Sequence, residues 1–317
     1  MRRRSVIQGS MLIGLPAMFG AHAQDVFPAK AVRIIVPYPA GGVVDVQTRA
    51  VTQGLELAQA VVVEDRPGAN GNIAAEVVSR AAPDGYTLLV SAPFLLNNPM
   101  IEQNLRWSPS DFVPLVRFSL SPSYLCVPAA SPARSVREYI DLARKANPPW
   151  QYGDGGAGTT QTMATEILKA VAGVRIEPIP YKGAPPAAID LITGSLSMAI
   201  LPSSVAYPHV KAGKLRALAN TSSSRSAQLP DVPTIAEAGF PEATVLSWYG
   251  LHAPAGTPAA TLRKLELAVQ AALQKPDVRE KLASAGGEHA YLGRTEFAQF
   301  LRADQQMWER INRTLKK

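Results

Sequence analysis

The sequence has too few cysteines to staple itself. Cys126 stands alone among 317 residues, inside the apolar run YLCVPA, so it has no intrachain disulfide partner and its neighbours predict a buried, inert thiol. Histidine is nearly as scarce, and one Cys with four scattered His cannot assemble a metal cluster. Lys and Arg are spread thinly, with no basic run beyond Lys316-Lys317 once the first residues are set aside, which excludes a charged nucleic-acid face. Catalytic signatures are missing too: there is no G-x-S-x-G elbow, no H-E-x-x-H, and no His–acid pair that stands out for general acid–base work. No solenoid-period repeat or low-complexity segment occurs, and the serine cluster TSSSRSAQLP reads as a loop.

What is present begins with an export signal. Residues 1–23 carry three arginines, an apolar stretch of about fifteen residues and Ala21-His22-Ala23 as an A-x-A cleavage site. The apolar part is shorter than the ~20 residues a membrane helix needs, and Gln8, Gly9, Ser10 and Pro16 weaken it, so no anchor is expected to remain. Arg3-Arg4-Ser5-Val6-Ile7-Gln8 fits the twin-arginine pattern, which implies export after folding; an ordinary secretory signal with a basic start fits equally. Cleavage removes Arg2, Arg3 and Arg4 and lowers the formal net charge from +7 to +4, a balance compatible with an anionic ligand.

The remaining chain, about 294 residues, is long enough for two lobes. Strand-like AVRIIVPYP, AVVVED and YTLLVSA alternate with helical GVVDVQTRAVTQGLELAQA, read with Val44, Val51, Leu55 and Ala58 on one face, and NIAAEVVSRA, read with Ile73, Val77 and Ala81 aligned. This β-α-β-α-β run predicts a parallel sheet covered by helices. A second α/β unit follows SPSYLCVPAAS: the capping-box sequence Ser135-Val136-Arg137-Glu138 opens a helix, and the strands VRIEPIPY, SMAIL and LRALAN surround the helix PPAAIDLITGS. The last helix carries Phe297, Phe300, Leu301, Trp308, Ile311 and Leu315 in one stripe, which reads as core packing.

In WQYGDGGAGTTQTMA, Gly153, Gly155 and Gly158 fall at G-x-G-x-x-G spacing ahead of a helix, with Glu177 19 residues beyond Gly158 as a candidate ribose-binding acid. Against an exported dinucleotide-dependent oxidoreductase stand the preceding NPPWQY, with two prolines and no long apolar strand, and the place of Glu177 inside the next strand pattern rather than at its end. The loops PYPAGGVVD, SAPFLLNN, GDGGAGTTQT and PSSVAY share another chemistry: small residues and no Lys or Arg. Such loops gather at the carboxyl ends of strands, where helix N-termini offer unpaired N–H groups and partial positive charge enough to hold a carboxylate.

RIIVPYPAGGVVDVQTR, VVVEDRPGANGN, RAAPDGYTLLV, YGDGGAGTTQTMA, PYKGAPPAAIDLITGSL, AGKLRALA, LPDVPTIAEAG and WYGLHAPAGTP, in this order over nearly all of the mature chain, resemble the signature segments of Bug-type substrate-binding proteins, the extracytoplasmic receptors of tripartite tricarboxylate transporters. The resemblance implies an α/β periplasmic-binding-protein fold of type II, two lobes joined by two crossing strands that close like a clamshell on a ligand in the interlobe cleft. Lobe 1 would comprise residues 24–126 plus 222–317 and lobe 2 residues 127–221. It further implies a periplasmic, non-enzymatic, monomeric receptor without cofactor or metal, which binds a small carboxylate and hands it to a membrane permease. A sensor subunit of a signalling system differs only in its partner.

Carried onto this sequence, the resemblance assigns ligand contacts to Tyr38, Ala40, Gly41, Gly42 and Asp45, to Ser91 and Ala92, and, in the second lobe, to Gly158, Thr159, Thr160, Tyr181, Gly183 and Ser203. Asp45, in the first turn of its helix, either caps free amides there or receives an ammonium or hydroxyl of the ligand. Lys182, the one cation beside these loops, reads as solvated or structural. The sequence departs from the family at Thr162, where members often carry histidine, at Ser197, where many carry aspartate, and at Asp65, where VENRPG is VEDRPG. A ring that would donate to a carboxylate is thus replaced by a small hydroxyl at Thr162, so ligand identity does not carry over directly.

Overall fold

The computed structural model describes residues 27–155 and 159–315, so residues 1–23, expected to be an export signal, and Gly158 lie outside the described residues. The alternating start folds as its periodicity predicts, into β1 (Val32–Val36), α1 (Val43–Gln53), β2 (Val61–Asp65), α2 (Asn72–Ser79) and β3 (Thr87–Ser91), with β1 parallel to both β2 and β3. After α3 (Phe94–Ile101), the ten-residue β4 (Phe112–Ser121) joins the same sheet, and the chain leaves it at Pro122 for β5 (Ser123–Pro128). The sheet is completed from the far end of the chain by β10 (Ser247–Pro254), antiparallel to β3 and β4, and β11 (Glu288–Leu292), giving the order β11-β4-β10-β3-β1-β2.

The second unit runs from β5 through α4 (Val136–Lys145), β6 (Trp150–Asp154), α5 (Thr160–Ala172), β7 (Ile176–Pro180), α6 (Ala184–Thr193), β8 (Ala199–Pro202), α7 (Ser203–Lys211) and β9 (Leu215–Asn220). Strands β8, β5 and β9 pair antiparallel, while β6 and β7 pair parallel. A bridge between Tyr152 and Met198, with Gly153 N–H donating to the Met198 carbonyl at 3.1 Å, joins the two pieces into one layer. Ser135 caps α4 by accepting the Glu138 N–H at 3.2 Å, and the Glu138 carboxylate reaches back one residue past the N-cap to the Arg134 N–H at 2.7 Å.

Two helices differ from their sequence reading. Helix α1 ends at Gln53 rather than running on through Leu55 and Ala58: Gly54 follows as its C-cap, and because a Cβ there would meet Val278 at 2.5 Å, the glycine also lets a later helix press close. In α2 the core face is Ala74, Ala75 and Val78, and Ile73 and Val77 are 46% and 37% exposed. Small side chains let α2 lie close to the sheet, and Ile73 instead covers Gly68 in the preceding turn.

After β9 the chain wanders through residues 221–246, where Ile235, Ala243 and Val245 pack into the core of the second unit, and it re-enters the first sheet at Ser247. Helices α8 (Ala259–Gln274) and α9 (Pro276–Ser284) cover the first sheet, and α10 (Arg294–Leu315) lies across both units, against α3, β4 and α5. Its stripe is core as predicted at Phe297 and Trp308, with Phe300 and Leu301 half-buried. Among the described residues no helix is long and apolar enough to cross a membrane.

Helix α10 is tied down by one carboxylate. Asp304, 6% exposed, accepts the indole N–H of Trp248 at 2.8 Å and of Trp308 at 3.2 Å. Burial pushes the Asp304 carboxyl up from 3.8 to about 6, against the pull of the two indoles and Arg117. Protonation is therefore favoured in the fold, so this group's contribution to stability is complete below about pH 4 and is lost as pH rises through 6. Asp304→Asn keeps an acceptor oxygen and removes the titration. Thermal unfolding from pH 4 to 7 should show the wild type losing stability relative to the variant by up to about 3 kcal/mol, at ~1.4 kcal/mol per pK unit.

Candidate functional site

Four helices begin around one cavity of about 230 Å³ at the junction of the two units. Gly42, Val43 and Val44 line it from the start of α1, Ala92, Pro93 and Phe94 from the start of α3, Thr159, Thr160 and Gln161 from the start of α5, and Pro202 from the start of α7. Tyr38, after β1, and Ser247 and Tyr249, on the re-entering strand β10, complete the wall. Both units thus present the carboxyl ends of strands and the amino ends of helices to the same space, the arrangement in which open α/β sheets bind ligands. Among the described residues, no Lys, Arg, Asp or Glu lines the cavity.

The local reasons are readable residue by residue. Gly42, at φ −72° and ψ 166°, is the N-cap of α1 and has no side chain to occupy the first-turn amides, so Val43 and Val44 begin the helix with their N–H groups unclaimed by it. Gly41 takes φ +76°, where glycine is preferred, and turns its N–H to the Asp45 carboxylate at 2.8 Å. Asp45, 3% exposed, also accepts from Arg49 at 2.5 Å, so of the two roles expected for it the structure favours the internal cap. At α5, Thr159 caps by accepting the Thr162 N–H at 3.2 Å, and Thr160 Oγ1 shares a 2.6 Å hydrogen bond with Ser247 Oγ across the cavity edge. Gln161 donates to Ser123 Oγ at 2.8 Å, so the α5 start is fastened to both strands at which the chain changes sheet.

The two tyrosines keep neutral phenol groups. Burial, and then the neighbouring Tyr249, push the Tyr38 phenol far above its usual value, and burial pushes Tyr249 to about 12. Both hydroxyls stay protonated at any physiological pH, which suits them to donate to an anion.

Of the residues expected from the sequence, the structure brings Tyr38, Gly42, Ala92, Thr159 and Thr160 together at the cavity. Ala40 and Gly41 are exposed on the loop before α1. Ser91 is buried one residue behind, its hydroxyl 2.7 Å from His252 Nδ1. Ser203 is buried with its hydroxyl on Gln228 at 2.5 Å, and Tyr181 donates to Asp190 at 2.6 Å. Gly183, the N-cap of α6, approaches the loop at Gly155. The departures at Thr162 and Ser197 are both satisfied within the second unit: Thr162 Oγ1 donates to Asp154 at 2.5 Å, and Ser197 Oγ donates to the Gln151 carbonyl at 2.7 Å. Phe94, Gln161, Pro202, Ser247 and Tyr249 were missed; all lie in segments that the sequence already marks out, but nothing local says which side chains face the cavity.

The dinucleotide reading loses its geometry. Gly153 is inside β6, opposite Ile179, and a Cβ there would meet Ala187 at 2.9 Å, so it serves close packing of α6 on the sheet. Glu177 is at the start of β7, paired with Arg175 at 2.8 Å, at the opposite end of the strand from the α5 start. A larger groove of about 740 Å³ lies at that far end, lined by Pro148, Trp150, Glu177 and Ser197 of the second unit alone.

The sequence pattern of the family described as "Tripartite tricarboxylate transporter family receptor" matches residues 47–316. Protein BugT of Bordetella pertussis is 32% identical over 294 residues, covering 91% of this chain and 90% of its own. Among solved structures, a Rhodopseudomonas palustris protein with adipate has a TM-score of 0.82 at 32% identity, over 92% of this chain and 98% of that one. MatC from Rhodopseudomonas palustris with bound malate has a TM-score of 0.76 at 29% identity, over 90% of this chain and 99% of that one.

The Asp45 cap has a measurable weight. Asp45→Ala leaves the Gly41 N–H without its acceptor and should lower stability by about 1 kcal/mol, the usual cost of losing a helix-start cap, seen as a fall of a few degrees in Tm. An unchanged melting curve would show that water replaces the carboxylate at no cost.

Proposed function

The chain belongs to the receptor family of tripartite tricarboxylate transporters, binding proteins rather than enzymes, and has the two-lobed α/β fold of periplasmic binding proteins; on that premise we propose that it captures a small carboxylate in the cavity between its lobes. The observation that carries this reading is the convergence of four helix starts, two from each lobe, on a cavity that no charged side chain lines among the described residues. Partial positive charge at helix starts, neutral hydroxyls and backbone N–H groups are together suited to an anion of modest charge. Two of the similar structures hold adipate and malate, both carboxylates.

In this reading the lobes meet at residue 122 and between 220 and 247: lobe 1 is residues 27–121 with 247–315, and lobe 2 is residues 123–246, which moves residues 123–126 and 222–246 to lobe 2. Tyr38, Gly42, Ala92, Thr159 and Thr160 contact the ligand directly, with Phe94, Gln161, Ser247 and Tyr249 beside them. Gly41, Asp45, Ser91 and Ser203 hold that shell from behind. Residues 1–23 direct export, and the monomeric receptor delivers its ligand to a permease in the membrane.

Protein freed of bound ligand should be stabilised by the carboxylate it takes, by about 2.7 kcal/mol at a hundredfold excess over Kd, read as a rise in Tm across a broad carboxylate panel. Gly42→Val, allowed by its backbone angles but bringing its Cβ to 3.0 Å from the Pro39 carbonyl, sets a side chain at the α1 start and should weaken binding at least tenfold while lowering the unliganded Tm by no more than a few degrees. A panel with no shift on ligand-free protein, or full affinity in the variant, would overturn the reading.

A further inference from the structure

Resting on the carboxylate-receptor reading, we propose that the cleft selects a carboxylate bearing one negative charge and an apolar body, with the carboxylate at the α5 start of the second lobe and the body against Tyr38, Phe94 and Tyr249 of the first. The two sides of the cavity are not equivalent. On the first-lobe side most of the polar backbone is already used. Gly41 donates to Asp45 at 2.8 Å, Gly42 to the Pro39 carbonyl at 3.1 Å, and Leu95, Leu96 and Asn97, in the first turn of α3, donate to the carbonyls of Ala92 and Pro93, each at 3.0 Å. Helix α1 does keep first-turn amides, but Asp45, buried in that turn and paired with Arg49 at 2.5 Å, already fills the place of the anion that the helix start favours, so a second anion gains less there and meets a like charge only partly offset by Arg49. Helix α5 has no acid in its first turn; beside its start the Thr160 and Ser247 hydroxyls bond each other at 2.6 Å, which leaves one of the two O–H groups to donate outward, while the Gln161 amide holds Ser123 at 2.8 Å.

Apart from the phenol groups of Tyr38 and Tyr249, the rest of the first-lobe side is apolar. Tyr38 and Phe94 meet edge to face with centroids 6.5 Å apart, and Val43, Val44 and Pro93 adjoin them. A second carboxylate buried on that wall would lose its water without gaining a cation or a full set of donors. Size sets the other bound: about 230 Å³ holds seven or eight waters at ~30 Å³ each, which is room for a ligand of about ten non-hydrogen atoms. Unbranched acids of about six carbons and single-ring aromatic acids are of that size.

Hexanoate and adipate form the decisive pair, because they share a six-carbon chain and differ in a methyl against a second carboxylate. Isothermal titration of the mature, ligand-free chain at pH 7 should give hexanoate and benzoate a Kd at least tenfold below that of adipate. Adipate binding as tightly as hexanoate or more tightly overturns the single-charge selection and leaves the receptor reading standing. Failure of all three, together with the wider panel, overturns both. Asp45→Asn, which removes the like charge, should narrow the hexanoate-to-adipate ratio at least threefold; an unchanged ratio overturns the role given to Asp45.

Discussion

The chain must pass twice between two separate sheets, and at each passage its backbone donors have to be satisfied without a shared strand ladder. That constraint organises the molecule. Thr221 N–H donates to the Ser123 carbonyl at 2.8 Å and Val245 N–H to the Thr221 carbonyl at 2.9 Å, so the outgoing and returning segments lie side by side and satisfy each other. Ser203 N–H takes the Pro122 carbonyl at 2.9 Å, which fastens the α7 start to the same place. With the crossings held together, the strand ends of both lobes are bound to face one cleft, and the helices that follow those strands bring their amino ends with them.

Around this junction, polar groups are used for alignment more than for charge. Ser91 and His252, Gln47 and Ser119, and Ser226 and Glu288 form pairs at 2.7 Å beside or behind the crossing strands. Burial holds His252 down at about 3, so the ring is neutral and its charge never enters the field of the cleft. Trp248 stands between two cavity residues, Ser247 and Tyr249, and turns its indole to Asp304 on α10. The C-terminal helix therefore braces the returning strand from outside, and the wall of the cleft depends on residues far from it in sequence.

Much of this was legible in the sequence, and the limits have physical causes. The alternation of β-branched runs with helical periods is a local property, and it yields β1 through β3 and the helices between them. The core face of α2 was misread because alanines that allow close approach carry less apolar weight than the exposed Ile73 and Val77. The cause of the glycine spacing was out of local reach for a similar reason: Gly153 is small because α6 packs on it, a fact fixed by Ala187 more than thirty residues on. The loops that border the cleft were identifiable by composition and order. Their facing side chains were not, since Tyr38, Phe94 and Tyr249 come from segments more than fifty residues apart and meet only when β10 inserts beside β3.

The gathering of helix starts has a consequence for how such a protein diversifies. A binding site that relies on arginine loses its grip on anions when one codon changes. Backbone amides are supplied by every residue except proline, so few point mutations strip this cleft of its attraction for negative charge. Variation at Tyr38, Val44, Phe94 or Tyr249 is then free to reshape what accompanies that charge, and a gene duplicate inherits a working anion trap before selection has refined its preference.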